Sequence, residues 1–146
     1  MAFNLTRMTA YALISAIEED FRGLIKEYID EENKVNTELL ERAKQRIEKD
    51  IGGLFDDISF SELVDYFDLG DTFQTINTNK ELIPENIYEP IRKFTKSLES
   101  LIPIRNRVMH IRPLNFDDLP TVLNFCERLV EHNTMNRPGI VGDSTF

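Results

Sequence analysis

With 146 residues, 41% of them hydrophobic and 29% charged, the chain can bury one core without disulfides and has the composition of a soluble globular protein. Its 26 acidic side chains outnumber 17 basic ones, and a net charge of -9 excludes a protein that covers its whole surface with nucleic acid. There is no apolar run of membrane-spanning length, no signal-peptide pattern and only one cysteine, Cys126, so we predict a cytosolic protein without disulfides.

The first third of the chain predicts two long amphipathic helices. From Thr6 to about Ile29 apolar residues recur at steps of three and four, and Glu18 falls on the exposed face. A second helix is expected from about Thr37 to Ile51, with a narrow apolar side and a charged opposite face. The pair Gly52-Gly53 should end it.

The middle of the chain predicts a short helix and then a loop. Ser59 and Glu62 have the spacing of a capping box, and the helix that follows should end near Asp68-Leu69-Gly70. The segment from Asp71 to Pro84 is rich in threonine and asparagine and has few apolar anchors. This composition is typical of a loop, and we predict it to be the mobile part of the chain.

Two more long helices and a short one between them are predicted in the last part of the chain. Apolar residues between Asn86 and Leu101 recur at alternating steps of four and three, which predicts a helix with Pro90 in its first turn. Pro103 should break or kink this helix, which then resumes as a short one from Ile104 to His110. A last helix is expected from about Asp117 to Glu131. Its inward positions should be Leu119, Val122, Leu123, Cys126, Leu129 and Val130.

The sequence as a whole indicates an all-α protein. It has no strand signal, no internal repeat, no glycine-rich phosphate loop and no metal-type spacing of Cys and His, so neither a metal nor a cofactor is expected. We predict an antiparallel helical bundle of four main helices plus short helices. The domain should occupy residues 1–132, and residues 133–146 should form a flexible tail or a linker to a further domain.

The stretch from Leu101 to Pro113 is where the sequence suggests chemistry. It holds three arginines, an asparagine and one of the two histidines. Residues 92–112 carry six basic side chains and one acidic one, so positive charge is concentrated here in an otherwise acidic chain. Such a patch could hold a phosphate or an acidic partner locally, or its side chains could simply pair with the acidic helices.

Arg105, Asn106 and His110 together could cleave RNA without a metal. A histidine can take a proton from a ribose 2′-hydroxyl or give one to the leaving 5′-oxygen. An arginine can hold the scissile phosphate and stabilise the charge that builds on it, and an asparagine can fix the imidazole or bind the phosphate. The product would be a 2′,3′-cyclic phosphate, and DNA, which lacks the internal nucleophile, would not be cut. The candidates for binding the substrate are Arg107, Arg112 and Lys96.

The spacing of these residues bears on how they could cooperate. Asn106 and His110 are four apart and share a helix face, whereas Arg105 points about 140° away from His110 around an ideal helix. Cooperation within one helix would need a distorted geometry. Across a dimer interface it would not, since Arg105 of one subunit can meet His110 of the other near a two-fold axis.

The order Arg105-Asn106-x-x-x-His110 resembles the signature of HEPN domains, small helical domains many of which are metal-independent ribonucleases of toxin and antiviral systems. The resemblance extends over about residues 6–131, although its specific part is the motif. It implies an antiparallel bundle and a homodimer that brings two motifs together. Arg105 and His110 would be the catalytic pair and Asn106 the polar helper. An antitoxin or a fused effector domain would be a further partner.

Other functions remain open. The chain could be a non-catalytic helical interaction module, such as an inactive domain of this kind kept for binding, whose motif face is a dimer or partner interface. Less favoured is a domain that binds a free phosphate compound through its arginines. His110 could also be a C-terminal helix residue favoured by the helix dipole. His132 is predicted to lie in the frayed end of the last helix and is interpreted as a bystander.

Overall fold

The computed structural model describes residues 4–53 and 57–135, which form seven α-helices and two 3-10 turns and contain no strand. The all-α prediction is therefore confirmed. The helices are α1 (Leu5–Tyr28), α2 (Thr37–Ile51), α3 (Phe60–Val64), α4 (Leu69–Thr78), α5 (Glu85–Lys93), α6 (Thr95–Met109) and α7 (Asp118–Met135). Four of these helices have fifteen residues or more, and three of them, α1, α2 and α7, lie where a main helix is predicted, whereas the predicted helix from Asn86 to Leu101 is divided between α5 and α6.

The chain divides into two compact units. The central unit comprises Ile14–Glu89, and the terminal unit comprises Met1–Leu13 together with Pro90–Phe146. Within the described ranges, no helix has both the length and the apolar character needed to cross a membrane. Because α7 continues to Met135, the first residues of the predicted tail are helical, and its remainder lies outside the described residues.

The core of the central unit is built largely from helix faces that the periodicity predicts, with Ile76 added by α4, which lies in a predicted loop. α2 matches its predicted bounds: Asn36 caps its first turn by accepting the Glu38 N–H at 2.8 Å, and Gly52 ends it in the left-handed conformation at φ 81. Removing apolar side chains from water is the main driving force for folding this unit. Its buried apolar residues include Ile14, Ile17, Phe21, Ile25, Leu39, Ala43, Ile47, Val64, Phe67 and Ile76.

Glu18 is buried, and the prediction that it lies on the exposed face of α1 was wrong. Its Oε1 accepts the backbone N–H of Leu69 at 2.9 Å, and its Oε2 lies 3.7 Å from the Arg22 guanidinium. Leu69 is the first residue of α4, so this N–H has no acceptor inside its own helix. A carboxylate is favoured there because the N-terminal end of a helix is partially positive.

The segment from Asp71 to Pro84, predicted as a mobile loop, is mostly helical, so that prediction was wrong. α4 covers its first half and a 3-10 turn at Lys80–Leu82 follows. A capping box starts the helix: Asp68 accepts from the Asp71 N–H at 2.9 Å, and the Asp71 carboxylate accepts from the Asp68 N–H at 3.1 Å. The buried Asp71 also accepts from Arg42 and Arg46 of α2, at 3.2 and 2.7 Å.

The polar residues that suggested a loop are satisfied inside α4. The hydroxyls of Thr72 and Thr75 donate to the carbonyls of Leu69 and Asp71, both at 2.9 Å, and both threonines are buried. At the helix end the Asn79 amide donates to the Lys34 carbonyl at 2.9 Å. Local hydrogen bonds thus allow a threonine-rich segment to be helical and buried. The preceding helix α3 is capped by Ser59 as predicted, but it ends at Val64, earlier than expected.

In the terminal unit the helix break lies at Phe94 rather than at Pro103. The hydroxyl of Thr95 donates to the carbonyls of Ile91 and Arg92, both at 3.0 Å, and such back-bonding bends helices. Pro103 lies inside α6 and is exposed, as is Glu99 one turn before it, so water can satisfy the carbonyl left without a donor. The predicted break before the motif was therefore wrong. Pro90 likewise lies inside α5 and not in its first turn.

The buried face of α7 differs from the predicted one. Val122, Phe125 and His132 are buried, whereas Leu123 and Val130, both predicted inward, are exposed. Phe125, which was not among the predicted inward residues, packs edge-on against Phe94, with centroids 6.1 Å apart. His132 packs edge-on against the same Phe94 ring, with centroids 5.7 Å apart, so the prediction that it lies in a frayed helix end was wrong.

Candidate functional site

The motif occupies the C-terminal end of α6. Leu98, Leu101, Ile104 and Val108 form the buried side of this helix. Asn106 and His110 are both exposed, and the His110 N–H donates to the Asn106 carbonyl at 3.0 Å, so they lie one turn apart as their spacing predicts. Among the described residues, no group hydrogen-bonds the imidazole of His110, which leaves both ring nitrogens open to a substrate.

Arg105 does not share this side of α6. The helix is regular from Thr95 to Met109, so Arg105 lies about 140° around the axis from His110. Its side chain is half-buried, whereas His110 is exposed. One copy of the helix therefore brings Asn106 and His110 together and directs Arg105 elsewhere.

Arg107 forms a two-pronged ion pair with Asp118 at the start of α7. Its Nε and Nη2 donate to the two carboxylate oxygens at 2.8 and 2.6 Å. Asp118 is only 2% exposed, and its Oδ2 also accepts the Asn115 N–H at 2.8 Å. The hydrogen bonds from Arg107 hold the pKa of Asp118 below its usual value, and the carboxylate raises the pKa of Arg107 in turn.

This pair bears on the prediction that Arg107 binds the substrate. The sequence leaves open that the motif arginines pair with acidic residues of other helices. Arg107 does so, because its guanidinium at the end of α6 forms an ion pair with Asp118 at the start of α7. If Arg107 contacts a substrate, it does so while its Nε and Nη2 stay hydrogen-bonded to Asp118. Arg112 and Lys96, the two other candidates, are exposed.

The chain after His110 ends α6 with a Schellman motif. The Arg112 N–H donates to the Arg107 carbonyl at 2.9 Å, and the Ile111 N–H donates to the Val108 carbonyl at 3.4 Å. This closure places Ile111 in the left-handed region at φ 54, where an L-residue with a Cβ costs about 1–2 kcal/mol. The Ile111 side chain is 81% exposed and recovers little of that cost by burial.

Arg7 of α1 completes this helix end, and sequence analysis did not identify it. Its Nη1 donates to the carbonyls of Arg107 and Val108 at 3.1 and 3.2 Å, and its Nη2 donates to the carbonyl of Arg112. The guanidinium gives the Arg107 and Val108 carbonyls a second donor beside those of the Schellman motif and complements the partial negative charge of the helix end. Arg7 is therefore a positioning residue for the backbone that carries His110. Its partners are main-chain atoms about a hundred residues away, and no sequence pattern marks such interactions.

Exposed apolar side chains lie next to the motif. Ile111 follows His110 directly, and Phe116, in the connection to α7, is 97% exposed. The first turns of α1, the helix that carries Arg7, expose Leu5, Met8 and Tyr11 as well. Exposed apolar side chains are typical of an interaction site when they form one patch.

The Cys126 thiol and a metal centre are the other chemistries to consider. Cys126 is half-buried, and burial raises the pKa of its thiol, so it is protonated at neutral pH and a poor nucleophile. In residues 4–53 and 57–135, no group of three or more His, Cys, Asp or Glu side chains is placed to hold a metal ion.

The candidate site is therefore the exposed end of α6. It carries Asn106 and His110, and it is held in place by Arg7 and by the pair of Arg107 with Asp118. Comparison of the chain with protein-family models, with characterised proteins and with solved structures gives no match.

Proposed function

We propose that this protein is a metal-independent endoribonuclease that acts as a homodimer, with Arg105, Asn106 and His110 as its catalytic residues. The observation that carries the proposal is the exposure of Asn106 and His110, side by side, at a helix end that three further side chains hold in place. A preorganised site of this kind is what acid-base catalysis needs. The resemblance of the motif to that of HEPN domains favours a role in a toxin or antiviral system.

The proposed reaction transfers the phosphorus from the 5′-oxygen to the 2′-oxygen. His110 takes the proton of the 2′-hydroxyl, the 2′-oxygen attacks the phosphorus, and the bond to the 5′-oxygen breaks with a proton delivered to that oxygen by a protonated imidazole. Arg105 neutralises the additional charge on the non-bridging oxygens. The products are a 2′,3′-cyclic phosphate and a free 5′-hydroxyl.

The directions of the side chains support the homodimer in this proposal. Because Arg105 and His110 lie on different sides of α6, a second copy is the simplest source of an arginine facing His110. An antitoxin or a fused effector domain as a further partner, and action in the cytosol, belong to the same proposal.

The test is incubation of a mixed RNA pool with the purified protein in EDTA, followed by analysis of the fragment ends. We expect cleavage to cyclic phosphate ends that continues in the chelator, and His110→Ala should lower its rate by about 10²-fold or more. Lys49→Ala, an exposed change on α2, is the control and should cleave normally. DNA of the same sequences should stay intact. Cleavage by His110→Ala at the wild-type rate would contradict the proposal.

The exposed apolar residues beside the motif favour a second candidate, a non-catalytic interaction module. In that case Phe116→Ser should weaken self-association about tenfold or more, because burying a phenylalanine contributes about 1.5–3 kcal/mol. Light scattering across a dilution series measures the change. The matched control is Leu82→Ser, which changes an exposed leucine of the central unit. If Phe116→Ser and wild type have the same mass at every concentration, this candidate fails.

A further inference from the structure

Carboxylates neutralise several of the described basic side chains. These ion pairs use Arg22, Lys26, Arg42, Arg46 and Arg107. With 26 acidic residues against 17 basic ones, a carboxylate partner is easy to provide in this chain. Two cations that share one aromatic ring and form no ion pair are therefore a candidate site for an anion.

Lys93 and Arg128 form such a pair around the ring of Phe94 in the terminal unit. Lys93 Nζ lies 5.5 Å from the ring centroid and Arg128 Cζ lies 5.1 Å from it. Arg128 also donates to the hydroxyl of Ser97 at 3.2 Å, and Lys93 Nζ lies 3.5 Å from Nδ1 of the buried His132. Neither cation forms an ion pair with any carboxylate in the described part of the chain.

This arrangement fixes the two charges without neutralising them. A ring, a hydroxyl and an imidazole can orient a lysine and an arginine, but none of them carries a compensating negative charge. Both charges lie within 5.5 Å of one ring centroid, so they repel each other, and an anion bound near both would offset that repulsion. Both side chains are exposed, so the anion can come from solution.

We propose that Lys93 and Arg128, with Ser97, bind a backbone phosphate of RNA at a site separate from the motif. The inference rests on the proposed function in taking RNA as the ligand. Ser97 lies near the start of α6 and Arg105 near its end, roughly 12 Å apart at 1.5 Å per residue. A single strand lying along α6 would thus place one phosphate at this pair while another sits at the motif. The site holds the strand and takes no part in the chemistry.

The neighbouring charges suit a local interaction. Lys96, exposed in the first turn of α6, extends the positive surface beside Ser97. Glu127 and Glu131 flank Arg128 on α7, both exposed, and they disfavour a long polyanion lying across that helix. An arginine can also meet a phosphate through two parallel hydrogen bonds.

The inference is tested by RNA binding in a protein that cannot cleave. A fluorescein-labelled single-stranded RNA is titrated with His110→Ala protein in EDTA over a range of salt concentrations, and its anisotropy is recorded. Adding Lys93→Gln and Arg128→Gln should raise the Kd roughly tenfold and reduce the slope of log K against log salt by about 0.7 for each phosphate-binding charge removed. Lys44→Gln with Lys49→Gln, which removes the same charge from exposed positions of α2, should change neither.

Conservative changes show whether charge is the cause. Lys93→Arg with Arg128→Lys keeps both charges and should bind within about twofold of the parent. Thermal unfolding verifies that each variant is folded. If the double Gln variant is unfolded, Lys93→Gln alone is tested instead, because it leaves Arg128 in contact with Phe94. The site is disproved if the Gln variant keeps the parent's affinity and salt slope, or if the parent binds no RNA. The same titration is repeated with labelled polyglutamate. If the Gln variant loses binding to polyglutamate while its RNA binding is unchanged, the pair belongs to a site for an acidic protein, and the inference is overturned.

The outcomes separate this site from the nuclease proposal. If wild type cleaves in a His110-dependent way while the Gln variant binds RNA normally, the phosphate site fails and the nuclease stands. If the Gln variant loses RNA binding while wild type never cleaves, the phosphate site stands and the nuclease fails.

Discussion

Mixing equal amounts of Arg105→Ala and His110→Ala proteins should restore about a quarter of wild-type RNA cleavage, although each variant alone should lose about 10²-fold or more. In the proposed dimer each site takes Arg105 from one subunit and His110 from the other. A mixed dimer then has one site with both residues and one site with neither. Random exchange makes half of the dimers mixed, which gives the expected fraction. The measurement is the initial rate of RNA cleavage before and after the two proteins are mixed.

Two controls make this experiment decisive. Mixing the double variant, Arg105→Ala with His110→Ala in one chain, with either single variant should restore nothing, because no site then holds both residues. Subunit exchange is verified by native mass spectrometry with one protein isotopically labelled. If exchange occurs and cleavage does not return, the shared site is wrong and Arg105 must act from the same chain as His110.

Arg107→Ala should lower the free energy of unfolding by about 2–3 kcal/mol at pH 7, because it leaves the buried Asp118 carboxylate without its main partner. The comparison variant Arg112→Ala removes an exposed arginine from the same segment and should change stability by less than about 0.5 kcal/mol. Urea unfolding followed by circular dichroism measures both. Equal stability of Arg107→Ala and wild type would mean that the pair contributes nothing.

The same pair predicts a dependence on pH. The pKa of Asp118 is lower in the folded protein than in the unfolded chain. Its stabilising effect is therefore complete above the unfolded pKa of about 4 and is lost as the pH falls through the folded value. The difference in stability between wild type and Arg107→Ala should accordingly be largest near neutral pH and shrink below about pH 4. An equal difference at pH 7 and at pH 3 would show that the ionised pair is not the source of the stability.

The parts of the fold that sequence could predict are those with strong local signals. The bounds of α1 and α2 follow from their apolar periodicity, and the ends of α2 follow from Asn36 and Gly52, whose effects act within one turn. α4 could not be found in this way. Its threonines suggest a loop until their hydroxyls are seen to donate to carbonyls of the preceding turn, and its capping box uses two aspartates.

In the candidate site, too, the features set by local spacing could be predicted and those set by tertiary packing could not. The adjacency of Asn106 and His110 follows from helical spacing and could be predicted. The partner of Arg107 could not, because it depends on where α7 begins relative to the end of α6. The burial of His132 depends on the packing of Phe94 and Phe125, which no local pattern specifies. Interactions that depend on tertiary packing are therefore the ones that the sequence leaves open.

The three hydrogen bonds from Arg7 to the end of α6 also constrain the order of events during synthesis. They join residues separated by 100 to 105 positions, so α1 leaves the ribosome long before its partners are made. Interactions of such long range form late in folding, after the local helices. A nascent chain that still lacks residues 107–112 therefore cannot carry an assembled site. If the protein is a ribonuclease, it therefore becomes active only after α6 has been synthesised and has emerged from the ribosome.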